Sequence, residues 1–236
     1  MESLLLPSKI KFQKGDHPHQ GILVIEPCAQ GYGTTIGNVL RRVLLSSLPG
    51  AAITAVKMKG VDHEFSTIPN VKEDVLEIIL NLKSVRLKCF SDQPVRLTLS
   101  AKGEKTIHAG DFSKNADVEI VNPDFVLATL TEKSAALEME ITVEQGRGYH
   151  TTEERIKEKL DLGTIAIDAL YSPILNVSYK VEATRLGEKT DYDKLILSIE
   201  TDGTVDSIDA CRNAVAILLD HLNLLGDTLK EITYEA

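Results

Sequence analysis

The stretch Gly31–Pro49, GYGTTIGNVLRRVLLSSLP, decides how this chain is read. Its limits are those of a helix: two glycines precede it, Thr34 or Thr35 can cap its start, and Pro49 stops it. At 3.6 residues per turn, Ile36, Val39, Leu40, Val43, Leu44 and Leu48 gather on one stripe, a core or helix-packing face. Asn38, Arg41, Arg42 and Leu45 fall on the other side, an apolar side chain among two guanidinium groups that each offer several directional hydrogen bonds. That mixture suits a protein surface. A solvated arginine face with one stray leucine accounts for it equally well, since single exposed apolar residues are ordinary.

The chain around this helix has 236 residues, enough for one large or two modest domains with a real core and no need of staples. Its three cysteines, Cys28, Cys89 and Cys211, are odd in number and far apart, which suits a reducing cytoplasm and excludes a disulfide framework or a CxxC metal site. Leu4–Leu6 is a three-residue apolar run ended by Pro7, and no longer run could span a bilayer, so a soluble cytoplasmic protein with no signal peptide is expected. With 35 acidic against 26 basic residues the net charge is −9, a field that repels phosphate backbones and makes direct nucleic-acid binding an unfavourable default.

The two ends of the chain differ from its middle. After a polar opening, Gly21–Glu26 reads as a short buried strand leading into the helix. Near the other end, Leu175–Ala183 and Lys194–Thr201 alternate apolar and polar residues and read as a hairpin. Thr201-Asp202-Gly203 is then a turn, and Asp206 or Ser207 can cap a second helix over Asp209–Leu225. That helix carries Cys211, Ala214, Val215, Leu218, Leu222 and Leu225 on one face, widened by Ile217 and Leu219, an arc too broad for a single sheet to cover.

From Ala51 to Ser172 the pattern is mostly β, with strand-like runs at Ile53–Lys59, Val85–Phe90, Val95–Ser100, Val118–Val121, Val126–Leu130 and Leu137–Val143. One helix is expected there, over Lys72–Leu82. The expected fold class is α+β: a discontinuous domain of residues 1–50 and 173–236, made of a sheet and two long helices, interrupted by an inserted, mostly β domain of residues 51–172.

Three motifs have competing readings. Gly31-x-Gly33 between a strand and a helix resembles a dinucleotide loop, but Ile36 stands where the third glycine belongs and no acidic ribose ligand follows, so these glycines read better as a turn. Gly37 in the first helical turn points to close packing there, or stands there incidentally. Gln145-Gly146-Arg147-Gly148-Tyr149 is one copy of an Arg-Gly pattern, which in an acidic chain reads first as a turn with a solvated or salt-bridged cation. His17-Pro18-His19 has no neighbours at metal-ligand spacing, and no HExxH, GxSxG or Walker loop occurs. No catalytic, cofactor or metal residues are assigned.

A resemblance goes further than these patterns. Gly31–Gly50, His63-Glu64-Phe65-Ser66-Thr67, Glu73-Asp74 through Glu77 to Lys83, Gln145–Tyr149, Asp168–Pro173, Val181–Arg185 and Thr190–Leu195 occur in the order found in the N-terminal region of the alpha subunit of bacterial DNA-dependent RNA polymerase. The chain resembles that family from about Gly21 to Leu222. The resemblance implies a non-catalytic scaffold that homodimerises and then receives the beta and beta-prime subunits, within a core that also contains omega. It implies a dimer interface at Ile36, Val39, Leu40, Val43, Cys211, Ala214, Val215, Leu218, Leu222 and Leu225. Beta contacts fall on Arg41, Arg42, Leu45, His63, Glu64, Ser66, Thr67, Glu73, Asp74 and Glu77, and beta-prime contacts on Lys83, Ser172, Pro173 and Ile174. Family members continue into a C-terminal DNA-binding domain; with the sequence ending at Ala236, that domain is expected to be absent. Two other readings stay open: an enzyme using the Gly31–Gly33 loop for a nucleotide, and a nucleic-acid module working through Arg147.

Overall fold

The computed structural model describes residues 4–155 and 161–231. In chain order these form β1 (Lys9–Lys14), β2 (Gln20–Cys28), α1 (Tyr32–Ser47), β3 (Pro49–Met58), α2 (Val75–Lys83), β4 (Leu87–Cys89) and β5 (Val95–Lys102). There follow β6 (Lys105–His108), β7 (Val118–Ile120), β8 (Val126–Leu130), β9 (Ala136–Arg147), β10 (Tyr149–His150), β11 (Thr164–Ala166) and β12 (Ala169–Leu170). The last elements are β13 (Ile174–Leu186), β14 (Lys189–Thr201) and α3 (Ser207–Glu231). The class is α+β, and every strand pair is antiparallel.

Contacts divide the described chain into two units. One joins the residues up to Leu48 with those from Pro173 onward; the other runs from Pro49 to Ser172. Pro49 and Gly50, read from sequence with the first domain, begin β3 of the second unit, opposite Arg147 and Gly146 of β9.

The first unit is a sheet in the order β1-β2-β14-β13 with α1 and α3 against it. Leu23 and Ile25 of β2, Leu195, Leu197 and Ile199 of β14, and Val177 of β13 supply the sheet's share of the core. Leu40 and Leu44 of α1 and Leu48 just after it, with Ala210, Cys211 and Ala214 from α3, close over them. The period-2 alternation of β14 and the 3.6-residue stripe of α1 thus meet in one apolar layer. The β13–β14 register shifts between Ile174 and Asn176, and the bulge leaves Leu175 50% exposed, out of the alternation that the sequence suggested.

Neither Thr34 nor Thr35 caps α1. Gly31 holds the cap position with φ 83°, a left-handed conformation glycine adopts without strain, and its own position offers no side chain to accept from the first-turn amides. The cap comes from far along the chain: Oδ2 of Asp193 on β14 accepts from the amides of Gly31 (2.9 Å) and Gly33 (3.1 Å). Gly37 lies against Tyr179 and Leu195, where an added Cβ would stand 2.7 and 2.9 Å from their side chains. Its presence mid-helix is close packing.

The second unit centres on a sheet in the order β11-β3-β9-β5, with the small pairs β4-β7, β6-β8 and β10-β12 around it. Its core draws on Val56, Leu97, Leu99, Ile141 and Val143 of the sheet and on Val75, Ile78, Ile79 and Leu82 of α2. That helix begins at Val75, three residues later than expected, because Asp74 caps it by accepting from the amide of Glu77 at 2.7 Å. Strands β1, β6, β10, β11 and β12 were not expected from sequence; all are short, and β1 (KIKFQK) is a charged, exposed edge with little alternation in burial.

Candidate functional site

An open apolar groove of about 760 Å³ lies in the first unit between β1, β2, α1 and α3. Ile10 and Phe12 of β1, Leu23 and Ile25 of β2, Ile36, Val39 and Leu40 of α1, and Cys211, Val215, Leu218, Leu219 and Leu222 of α3 line it. Leu40, Cys211 and Ala214, taken from sequence as interface residues, are buried within the chain's own core. Leu40 and Cys211 form the groove floor, whereas Ala214 does not line it. Ile36, Val43 and Leu218 are half-buried against the same core. Val39, Val215, Leu222 and Leu225 are exposed, Leu222 by 60%.

The stripe continues where the groove ends. Beyond Leu218 every described side chain of α3 is exposed, and Leu222, Leu225 and Leu229 follow one another at helical spacing in water. Burial pushes the Cys211 thiol up, and burial followed by the nearby Asp193 carboxylate does the same to Cys28, which favours the protonated thiol at both. Sequence reading missed the β1 wall of the groove; the alternation of Ile10 and Phe12 with Lys9, Lys11 and Gln13 was its only signal.

On the other side of α1, Arg41 and Arg42 are exposed and Leu45 is half-buried against the core. Arg41 donates through Nε to the backbone carbonyl of Val177 at 3.1 Å, which ties its side chain to β13. The Arg42 side chain has no hydrogen bond or ion pair among the described residues. The amides of the Gly31–Gly33 loop are both engaged by Asp193, so they are not open to a phosphate.

In the second unit the residues His63–Glu77 form a loop and the start of α2. His63 and Thr67 are exposed, Glu64 and Ser66 half-buried, and Phe65 between them is 76% exposed, the side chain here that sequence reading passed over. Ser66 Oγ lies 3.2 Å from His63 Nδ1. Asp74 is spent on the α2 cap, with Glu77 exposed in the first turn. Glu73 turns inward: its carboxylate accepts from the amide (2.6 Å) and hydroxyl (3.0 Å) of Thr129 on β8, and the side chain is buried. Its observed part is to clamp this loop to the sheet pair beneath.

Lys83, in the last turn of α2, is exposed and donates to Asp168 at 3.1 Å. Ser172, Pro173 and Ile174 are all buried. The Arg-Gly segment is the turn from β9 to β10: Gly148 has φ 69°, Gly146 lies flat on the ring of Tyr171, and Arg147 is exposed. Among the described residues no three His, Cys, Asp or Glu side chains converge to hold a metal ion, and no helix is long and apolar enough to cross a membrane.

Residues 56–172 match the family model described as the RNA polymerase Rpb3/RpoA insert domain. The DNA-directed RNA polymerase subunit alpha of Moorella thermoacetica is 51% identical over 227 residues, covering 96% of this chain and 72% of that protein. The subunit of the same name from Symbiobacterium thermophilum is 52% identical over 204 residues, 86% of this chain and 64% of its own length. That of Roseiflexus sp. is 48% identical over 207 residues, again with 64% of its length covered against 88% of this chain. The chain therefore spans roughly two thirds of these curated relatives, 64–72% of their lengths.

Proposed function

This chain belongs to the family of DNA-directed RNA polymerase alpha subunits, and from that premise we propose that it is a non-catalytic assembly scaffold. It homodimerises through its helix-bearing unit, interrupted in sequence by the β-rich insert, and then offers separate surfaces to the beta and beta-prime subunits. The core so formed, together with omega, transcribes DNA in the cytoplasm; polymerisation belongs to the large subunits.

One observation carries the reading: the apolar groove of the first unit runs on into the exposed leucines of α3. Apolar area left in water forgoes about 25 cal/mol per Å², and a stripe of this length marks an interface. A second copy is the fitting occupant, because a helix stripe and a groove on one surface can satisfy each other about a two-fold axis. Obligate interfaces of this kind commonly bury more than about 2,000 Å².

Beta is received by the outward side of α1, where Arg42 is unengaged and Arg41 is half-engaged, and by the His63–Glu77 loop with its exposed Phe65. Beta-prime is received around Lys83. Ser172, Pro173, Ile174 and Glu73 are buried in the single chain, so their side chains offer a partner little surface, and Glu73 is spent on Thr129. The net charge of −9 and the occupied Gly31–Gly33 amides weigh against the nucleic-acid and nucleotide-enzyme readings.

Sedimentation of the purified chain, alone and with a matching beta subunit, tests the reading. A dimer at micromolar concentration and a larger complex with beta are expected. A monomer, or a dimer that ignores beta, overturns it.

A further inference from the structure

The N-terminal half of α1 forms part of the groove wall, through Thr35, Ile36 and Val39. Among the described residues the only local side-chain bond at its start is that of Thr35 Oγ1 to the Gly31 carbonyl at 3.2 Å, which leaves the first amides without a local side-chain acceptor. It has no acidic residue and no side-chain cap of its own. Its free amides point at Asp193, whose single oxygen Oδ2 accepts from both Gly31 and Gly33. The β2–β14 register slips by one residue between Leu195 opposite Ile25 and Asp193 opposite Cys28, so β2 ends, and the chain turns toward α1, directly beside Asp193. Gly33 has no side chain to keep the two apart: a Cβ there would lie 3.0 Å from Asp193 Cβ and from Val181 Cγ1. A carboxylate on these amides also meets the positive end of the helix dipole.

We propose that Asp193 is the positioning residue of the dimer groove: by gripping the first turn of α1 from the neighbouring strand it fixes where Ile36 and Val39 stand to receive a second copy of this chain. The role rests on the dimer reading above and adds to it a residue that contacts no partner. Downstream, α1 is held independently by Leu40 and Leu44 in the core and by the Arg41–Val177 bond, so loss of the carboxylate loosens the wall and leaves the helix formed.

The test measures the dimer dissociation constant of the full chain by sedimentation equilibrium, with circular dichroism on each variant. Asp193→Ala is expected to weaken the dimer about tenfold, the upper range for loss of a helix cap, with the helical signal retained. Asp193→Asn is expected to restore affinity to within about threefold of wild type, since one amide oxygen can accept both N–H bonds. In an Ile36→Ala background the loss from Asp193→Ala should vanish, because the wall it positions has been removed. If Asp193→Ala does not fold, Asp193→Glu, which moves the carboxylate by one methylene, takes its place with the same expectations. Wild-type affinity in Asp193→Ala, failure of Asn to rescue, or full additivity with Ile36→Ala would each overturn the proposal. Leu222→Glu separates the two levels: a dimer that survives it removes the groove reading itself, and the role of Asp193 with it.

Discussion

The ammonium of Lys83, in the last turn of α2, donates to Oδ2 of Asp168 at 3.1 Å, while Oδ1 of the same carboxylate accepts from the amide of Thr152 at 2.9 Å. The two side chains are 35% and 29% exposed, so water screens the pair and its own worth is about 0–1 kcal/mol. What it fixes is direction. One of the three ammonium protons of Lys83 is spent on Asp168, and the other two can serve an incoming acceptor.

Asp168 is held below the usual aspartate value of 3.8, first by the Thr152 amide and next by the Lys83 bond, with the Tyr149 hydroxyl adding a smaller part. A carboxylate with a depressed folded pKa contributes stability that is fully present above the unfolded value near 3.8 and is lost as pH falls through the lower folded value. Carbon-detected titration of Asp168 should therefore place its midpoint below 3.8, and Lys83→Met should raise it without restoring the ordinary value, because the Thr152 amide stays. An unchanged midpoint in Lys83→Met would show that the ion pair has no hold on the carboxylate.

Much of this was legible where the cause is local. The α1 stripe from Ile36 to Leu48 and its stop at Pro49, the β13–β14 hairpin and the start of α3 near Ser207 all follow from spacing and caps within a few residues. What was not legible acts at a distance. Asp193 caps α1 from about 160 positions away, and Glu73, which reads as one more surface acid beside Asp74, is buried because Thr129 happens to meet it. A period-2 pattern cannot announce a bulge either, and so Leu175, which falls on the apolar side of the alternation, is exposed. The groove shares this limit: its α-helical walls were visible as stripes, but β1, charged at alternate positions, showed its apolar side only once paired to β2.

Gly37→Ala should destabilise the first unit. Alanine gains about 1 kcal/mol in helix propensity over glycine, but its methyl would overlap Tyr179 and the fully buried Leu195, and overpacking of this kind costs about 1–3 kcal/mol. Gly226→Ala on α3, where a Cβ meets nothing within 4 Å, is the matched control and should stabilise by about 0.5–1 kcal/mol. Urea midpoints of the two variants are expected to move in opposite directions; equal shifts would remove the close packing of α1 as the reason for the glycine.

The two arginines of α1 should separate in their effects. Arg41→Ala loses the bond to the Val177 carbonyl and is expected to cost about 1 kcal/mol of folding stability as well as some beta affinity. Arg42→Ala breaks nothing within the chain, so folding and dimerisation should match wild type, while beta capture falls by about 2–5 kcal/mol if the guanidinium is buried against an acceptor in the complex. Arg42→Lys should recover only part of that loss, because an ammonium cannot reproduce a bidentate bond. Pull-down of beta with sedimentation of each variant decides it: wild-type capture by Arg42→Ala makes this a solvated face, and loss of the dimer moves Arg42 into the seam between copies.

The strongest contrast lies along α3. Ala214 is fully buried in the chain's own core, so Ala214→Glu places an unpaired carboxylate in an apolar layer and should prevent folding, at a cost of several kcal/mol, about 3 or more. Leu222, two turns on, is 60% exposed and lies outside the buried core cluster, on the open side of the groove. Leu222→Glu should therefore leave circular dichroism and the monomer fold intact while abolishing dimerisation, because the carboxylate is desolvated only when a second copy closes over it. Leu224, turned by about 200° from Leu222 at 100° per residue, is exposed as well, and Leu224→Glu should weaken the dimer less. Sedimentation velocity distinguishes these cases at a single micromolar concentration. A Leu222→Glu chain that still sediments as a dimer would mean that the stripe from Val215 to Leu229 is an ordinary wet surface, and that any dimer forms elsewhere on the molecule.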